Sequence, residues 1–151
     1  MVNINGSVDE QIDAIAKLVN NGQYLIMTIE TPDNEKSYIA QKIIDHCKNA
    51  KVAIVSVDSI RNILFGDSSD QDNNEHVFNV AYRLCRKNFN NGYSVILDSA
   101  IIDKESRKRA MKQAIPFSMD DIIHTIGVNV KNDVSIIEKA EFDYLASILN
   151  T

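Results

Sequence analysis

The residues from Tyr24 to Ser37 constrain the fold of this chain more than any other stretch. An apolar run that begins at Tyr24 ends abruptly at Ile29, a short polar loop follows, and Lys36-Ser37 opens a helical pattern. A strand, a loop and then a Lys-Ser pair at the start of a helix is the arrangement of a phosphate-binding loop. The stretch therefore predicts a nucleotide-type site that follows a buried strand.

The loop itself carries acidic residues where a phosphate-binding loop needs glycine. Glu30 and Glu35 stand at the two glycine positions, and Asp33 stands at a middle position that is often glycine. Glycine accepts the positive φ that turns successive N–H groups inward, and another residue there costs roughly 1–2 kcal/mol. Like charges ~4 Å apart also repel by about 4 kcal/mol at an effective dielectric of roughly 20. We therefore expect the three carboxylates to block phosphate binding, although Lys36 and Ser37 keep the frame of a cofactor site.

Length and composition fit one globular domain over residues 1–151, since 44% of the residues are hydrophobic and 25% are charged. The formal charge of −5 argues against nonspecific binding of nucleic acid or membranes by the bulk surface. The start of the chain has neither a basic segment nor an apolar stretch, so we expect a cytoplasmic protein. Cys47 and Cys85 fall on apolar faces of predicted helices, which predicts buried thiols without a disulfide framework or a metal site.

Buried strands alternate with amphipathic helices along the chain, which predicts an α/β fold with a small, mainly parallel sheet of about four strands. The predicted strands cover residues 24–29, 52–57, 94–98 and 122–130. The predicted helices cover residues 7–22, 36–49, a short segment that ends at 65, 74–90, 104–114 and a last segment from 132 to 148. Sites in such folds lie at the carboxyl ends of strands, and here those ends carry the acidic loop, Asp58 and Asp98.

With these residues assembled, the chain resembles the P-loop kinases of the polynucleotide kinase and zeta-toxin group over about residues 23–130. The closest single match is the sequence Ser-Val-Asp-Ser-Ile-Arg-Asn-Ile-Leu-Phe-Gly at residues 56–66. The resemblance implies a three-layer P-loop kinase-like fold in which Lys36 grips the phosphates of ATP and Ser37 holds Mg²⁺. It also implies that Asp58 is a general base on a substrate hydroxyl, that Arg61 steadies a phosphate, and that Asp98 lies near the metal.

The chain also departs from this family beyond its acidic loop. Ala100-Ile101 follows Asp98 where the family commonly has Thr-Asn, and no arginine occurs after Arg109. The family uses arginines of a lid after the fourth strand, and such a charge clamp can be worth about 10³-fold in rate. Lys131 would replace it only as a single point charge. We therefore expect the lid to be absent.

Each candidate also has a structural interpretation. Lys36-Ser37 could merely begin a surface helix, Asp58 and Asp98 could cap the elements that follow them, and Arg61 could pair with Asp58. His124 lies inside a predicted strand and is interpreted as a core histidine. The basic residues of the predicted helix 104–114 form either a solvated face or a docking surface for an acidic partner; they are Lys104, Arg107, Lys108, Arg109 and Lys112.

Two main hypotheses follow. The first is a catalytically inactive P-loop kinase-like protein, without a bound cofactor, that acts as a protein-binding or inhibitory module of a phage or mobile element. The alternative is a small kinase that uses ATP and Mg²⁺ to phosphorylate a hydroxyl of a nucleoside, nucleotide or polynucleotide. A purely structural oligomer subunit is a third possibility. The family's strand order predicts that residues 24–29 form the central strand, with residues 52–57 at an edge beyond the third strand, and we expect the loop 30–35 not to enclose a phosphate.

Overall fold

A computed structural model describes residues 8–28, 33–47, 50–67, 72–99, 104–128 and 134–135. The helices are α1 (Val8–Val19), α2 (Asp33–His46), α3 (Val57–Phe65), α4 (Asn74–Asn90) and α5 (Lys104–Ala114). The strands are β1 (Tyr24–Thr28), β2 (Val52–Ser56), β3 (Ser94–Asp98), β4 (His124–Val128) and β5 (Val134–Ser135). Within these ranges, no helix combines the length and the apolar character needed to cross a lipid bilayer.

The strands form one sheet in the order β2-β3-β1-β4-β5, and the first four are parallel. The central strand β1 pairs on both sides, with Leu25 opposite Val95 of β3 and opposite Thr125 of β4. Strand β2 lies at the edge beyond β3. The predicted parallel α/β fold and the predicted place of each of the four strands in the sheet are therefore confirmed, although β4 begins at His124 and not at the predicted residue 122.

Helices cover both faces of this sheet and produce three layers. Alternate residues of a strand point to opposite faces, so the consecutive apolar residues 24–27 of β1 and 95–97 of β3 require cover on both sides. Helices α1 and α2 pack on one face, through Ile12, Ile15, Ile39 and Ile43 against Ile26, Ile96 and Ile126. Helices α3, α4 and α5 pack on the other, through Val57, Ile60, Val77, Phe89, Ala110 and Ala114 against Leu25, Val95 and Leu97.

The boundary between β2 and α3 differs by one residue from the predicted strand 52–57. Ser56 has an extended backbone (φ −98°, ψ 115°), and its hydroxyl accepts a hydrogen bond from the backbone N–H of Ser59 at 3.2 Å. This is an N-cap, which satisfies one of the free N–H groups at the start of a helix. Val57 is therefore the first residue of α3, although its apolar side chain reads as a continuation of the strand.

The short strand β5 corrects the sequence prediction, in which residues 134–135 belong to the last helix, 132–148. Val134 and Ser135 instead pair antiparallel with Val128 and Gly127 of β4. Two residues are too few to show a hydrophobic period, so this pairing has no signal of its own in the sequence. The rest of that predicted helix lies outside the described residues.

Replacing Thr125 with valine is expected to stabilise the protein. Thr125 is fully buried in β4, and within the described part of the chain its hydroxyl has no hydrogen-bond partner. A buried polar group without a partner costs about 1–3 kcal/mol, and valine has nearly the same shape. We expect Thr125→Val to raise the free energy of unfolding by about 1 kcal/mol in urea titrations, and Thr125→Ser to lower it. A loss of stability in Thr125→Val would contradict the assignment of an unsatisfied hydroxyl.

Both cysteines are buried and free, as predicted, and burial raises the pKa of each thiol, that of Cys85 to about 12. In the unfolded chain a thiol titrates at about pH 8.5, so above that pH the folded state holds a proton that the unfolded state has lost. The free energy of unfolding should therefore fall as pH rises, and the Cys85 thiol should contribute up to ~1.4 kcal/mol per pH unit to this fall.

Urea titrations between about pH 8 and pH 10 test this expectation, with Cys85→Ala as the matched variant. The variant loses packing at every pH, but its stability should fall less steeply than that of the parent as pH rises. Cys47 contributes equally to both proteins and cancels in the comparison. Parallel pH dependences for the two proteins would contradict the buried-thiol explanation.

Candidate functional site

The carboxyl ends of the four parallel strands lie at one edge of the sheet, and this edge carries the candidate residues. Asp98 is the last residue of β3 and is paired in register with Ser56, the last residue of β2. Asp58 lies two residues after Ser56, in the first turn of α3. The connection from Thr28 of β1 to α2 leaves from the same edge. The topology therefore places the end of β1, the start of α3 and Asp98 at a common edge.

Helix α2 begins at Asp33, three residues earlier than the Lys36 start that the sequence predicted. Asp33 and Glu35 therefore belong to the first turn of the helix, and Ser37 is its fifth residue. Thr31-Pro32-Asp33 was the signal for this start, because proline and acidic residues are favoured in the first turn. Glu30 lies outside the described residues.

The early start of α2 changes the backbone that a phosphate would meet. Only residues 29–32 connect β1 to α2, and residues 33–35 are helical. Helical residues have φ near about −63°, whereas an anion nest includes residues with positive φ. The conformation at residues 33–35 thus favours the expectation that this segment does not form the usual phosphate cradle.

Arg61 is held in a network that joins α3 to α4. Its Nη1 atom donates to Asp58 Oδ1 at 2.9 Å, and its Nη2 atom donates to Asn74 Oδ1 at 2.7 Å. The side chain of Arg61 is only 5% exposed, whereas that of Asp58 is 70% exposed. The structural interpretation of Arg61 as the salt-bridge partner of Asp58 is therefore confirmed, and its guanidinium also fastens two helices.

The two candidate acids differ in their surroundings. Asp58 lies at the amino end of α3, where a carboxylate is favoured by the partial positive charge of the helix. It does not cap this helix, because Ser56 does. Asp98 is half-buried and is followed by the buried Ser99. Ala100-Ile101, where the family commonly has Thr-Asn, lies outside the described residues.

Metal binding stays a prediction for Ser37 and Asp98. The described residues contain no group of three or more His, Cys, Asp or Glu side chains that could hold a metal ion. Mg²⁺ at phosphate-transfer sites is usually held by one or two protein ligands together with water and phosphate oxygens, so a dedicated cage is not required. Asp98 lies at the carboxyl edge of the sheet, where its carboxylate would be suited to act as one protein ligand of Mg²⁺.

Two other groups singled out in the sequence lie elsewhere. His124 is the first residue of β4, at the amino end of the sheet, and its ring centroid lies 6.4 Å from that of Tyr24. His124 is half-buried, and desolvation by burial lowers its pKa, which favours its neutral form. On α5, Lys104, Lys108, Arg109 and Lys112 are exposed and Arg107 is half-buried, so a docking role for this helix stays a prediction.

No protein-family model matches the chain, and no curated protein matches it by sequence. In fold, it is similar to a mutant of the APS kinase CysC from Mycobacterium tuberculosis, with a TM-score of 0.52 and 13% identity. The alignment covers 85% of this chain and 95% of that one. Together with the strand order and the three layers, this similarity shows that the chain has a P-loop kinase-like fold.

Proposed function

We propose that this chain is a degenerate P-loop kinase, of the polynucleotide kinase and zeta-toxin type, that acts as a protein-binding or inhibitory module rather than as an enzyme. The observation that carries the proposal is the acidic start of α2, where Asp33 and Glu35 occupy the first helical turn. This is the end of the helix at which a P-loop protein receives its phosphates. A single cytoplasmic domain of a phage or mobile element, directed at a protein of its host, would suit such a molecule.

The carboxylates oppose phosphate binding in two ways. They are themselves stabilised at the positive end of the helix, by about 0.3–1 kcal/mol each. Their negative charge therefore offsets the positive potential that would otherwise attract an anion. They also repel phosphate oxygens, at about 4 kcal/mol for a charge pair ~4 Å apart with an effective dielectric of roughly 20. Lys36 supplies a single positive charge against Glu30, Asp33 and Glu35.

The position of Arg61 supports the same proposal. An arginine that steadies a transferred phosphate needs donor groups directed at the phosphate. Here two donors of the guanidinium are used by Asp58 and Asn74, and the side chain is almost completely buried. These contacts favour a structural role in joining α3 to α4.

A second candidate function is a working kinase that transfers the γ-phosphate of ATP to a hydroxyl of a nucleoside, nucleotide or polynucleotide. The observation that favours it is the common edge at which Asp98, Asp58 and the start of α2 lie. In that case Asp58 would act as general base, and Ser37 and Asp98 would hold Mg²⁺. The exposed side chain of Asp58 is within reach of a substrate.

Calorimetric titration of the protein with Mg-ATP separates the two functions. The proposal predicts no binding tighter than roughly 100 μM, which corresponds to about −5.5 kcal/mol. Cooperative thermal unfolding of the same sample controls for a folded protein. Tighter binding, or transfer of phosphate to a hydroxyl-ended oligonucleotide, would overturn the proposal in favour of the kinase.

A further inference from the structure

Helix α5 concentrates positive charge on a protein that is otherwise acidic. Its 11 residues include five basic side chains and one acidic side chain, whereas the rest of the chain has 11 basic and 20 acidic side chains. Four of the five basic side chains are exposed; they are Lys104, Lys108, Arg109 and Lys112. We call these four side chains the α5 basic face. The formal charge of the whole chain therefore does not describe this surface, which is locally positive.

Helical spacing and burial show that the four side chains lie on one side of α5. Lys104, Lys108 and Lys112 are four residues apart and form one row along the helix, and Arg109 neighbours Lys112 at a spacing of three. Ala110 and Ala114, on the other side of the helix, are fully buried in the core. The row from Lys104 to Lys112 is about 12 Å long, at ~1.5 Å per residue. The α5 basic face is therefore a short, continuous row of charge directed at solvent.

Other residues hold α5 in place. Ala110 and Ala114 are buried, and Met111 packs against the same core. The Nη1 atom of Arg86, in α4, donates a hydrogen bond to the carbonyl of Gln113. A cation is favoured at this end of a helix, because the helix dipole is negative there. None of these contacts involves the α5 basic face, so its charges are not needed to position the helix.

The charges of the α5 basic face also do not stabilise the helix. Within the part of the chain that the structure describes, neither these four side chains nor Glu105, the one acid of α5, makes an ion pair. Lys108 lies four residues from both Lys104 and Lys112, and like charges at this spacing destabilise a helix. Lys104 is also the first residue of α5, where the helix dipole disfavours a cation. These positions favour a role in binding something of negative charge.

We propose that the α5 basic face is the docking site for an acidic helix of a partner protein, with carboxylates repeated every four residues. The inference rests on the proposed protein-binding function and names the chemistry of the partner. Two helices that lie side by side have the same rise per residue, so a row of glutamates at this spacing matches the row of lysines. Complementary charges of this kind contribute mainly to the rate and the specificity of association.

A nucleic acid fits the α5 basic face poorly. Its backbone is a continuous line of negative charge, and each phosphate needs a positive partner to gain affinity. Outside α5, acidic side chains outnumber basic ones by 20 to 11, so a polyanion longer than the row is repelled by the molecule as a whole. An acidic segment of about the length of the row avoids this repulsion.

The test uses a synthetic helical peptide with glutamates at positions i, i+4 and i+8, and a matched peptide with glutamine in their place. Binding to the full chain at low ionic strength is measured by fluorescence anisotropy, and the contact surface is mapped by chemical-shift changes in amide NMR spectra. We expect the glutamate peptide to bind at least about tenfold more tightly than the glutamine peptide, to bind more weakly as salt rises, and to shift residues 104–114. Equal binding of both peptides, shifts centred elsewhere, or no binding of the glutamate peptide would overturn the inference.

Two pairs of exposed lysines provide matched variants. Lys108→Gln with Lys112→Gln removes two charges from the α5 basic face, whereas Lys17→Gln with Lys51→Gln removes two charges from α1 and from the residue before β2. Both variants change the net charge equally, so attraction by the whole molecule affects them alike. We expect the first to weaken binding of the glutamate peptide at least about fivefold and the second less than about twofold. Equal weakening by the two variants would contradict a local docking site.

Thermal unfolding of the same variants separates docking from a structural role. Glutamine has nearly the helix propensity of lysine, and its introduction removes repulsion between like charges. Lys108→Gln with Lys112→Gln should therefore unfold at the melting temperature of the parent or above it. A lower melting temperature would mean that these lysines support the fold, which contradicts the inference.

Two further measurements identify the other possible occupants. If a short oligonucleotide binds more tightly than the glutamate peptide, and loses this binding in Lys108→Gln with Lys112→Gln, the surface recognises nucleic acid. Self-association in light scattering that the same variant loses would mean that a second copy covers the site. Either result overturns the inference.

The outcome is separable from that of the proposed function. Tight Mg-ATP binding with correct peptide mapping would overturn only the loss of the nucleotide site, whereas absent ATP binding with failed peptide mapping would overturn only the docking site.

Discussion

Replacing Glu30, Asp33 and Glu35 together with glycine is expected to restore measurable Mg-ATP binding, with little phosphate transfer. Removal of three carboxylates relieves several kcal/mol of repulsion at the phosphates, at roughly 4 kcal/mol for each close pair. Glycine also permits the positive φ of an anion nest. Within the first turn of α2 each glycine costs about 1 kcal/mol of helix stability, so this turn should loosen towards a loop in the variant.

Transfer should remain slow because it depends on groups that the substitutions leave unchanged. Stabilising the transferring phosphoryl group requires positive charge directed at it in the transition state. Arg61 is engaged with Asp58 and Asn74, and the glycine substitutions do not release it. The assays are calorimetric titration with Mg-ATP, ATP hydrolysis, and phosphate transfer to a hydroxyl-ended oligonucleotide.

A charge-only variant separates the two effects of the acidic residues. Glu30→Gln, Asp33→Asn and Glu35→Gln in combination remove the negative charge and keep the side chains. If the glutamine and asparagine variant binds Mg-ATP as well as the glycine variant does, charge repulsion alone explains why the parent protein does not bind Mg-ATP. If only the glycine variant binds, backbone conformation is the main obstacle. Undetectable binding by both would contradict the role given to this loop, and rapid transfer by either would contradict the account of turnover.

The strand order could be predicted because its causes are distributed over many residues. Residues 95–97 of β3 and residues 24–27 of β1 are all apolar and buried. Strands buried on both faces belong at the centre of a parallel sheet, and the polar residues that follow them then fall at one edge. The predicted bounds of the helices 74–90 and 104–114 also agree with those of α4 and α5.

What could not be predicted depends on single contacts. The start of α2 at Asp33 follows from local preferences of proline and acidic residues, which the resemblance to a phosphate-binding loop obscured. The pairing of β5 rests on two residues. Pairing of Arg61 with Asp58, three residues away, was open to prediction from the sequence, but its contact with Asn74 was not, because Asn74 lies 13 residues away and enters only when α4 packs on α3.

Replacing Arg61 with alanine is expected to lower the free energy of unfolding by about 2 kcal/mol, with an unchanged denaturant slope in urea titrations. The substitution removes a buried side chain and two charge-assisted hydrogen bonds, at 2.9 Å to Asp58 and 2.7 Å to Asn74. The loss stays below the roughly 3–5 kcal/mol of a broken buried ion pair, since the carboxylate left behind is mostly exposed and remains hydrated.

Asp58→Asn and Arg61→Lys show which of these contacts carries the effect. An ion pair with one exposed partner contributes about 0–1 kcal/mol, so Asp58→Asn should change stability by less than about 1 kcal/mol. Lysine keeps the charge but lacks the planar fork that reaches two acceptors, so Arg61→Lys should recover only part of the loss. If Arg61 fastens α3 to α4, stability must fall in Arg61→Ala even without any ligand. An Arg61→Ala protein within about 0.5 kcal/mol of the parent would mean that this buried guanidinium is kept for a ligand instead.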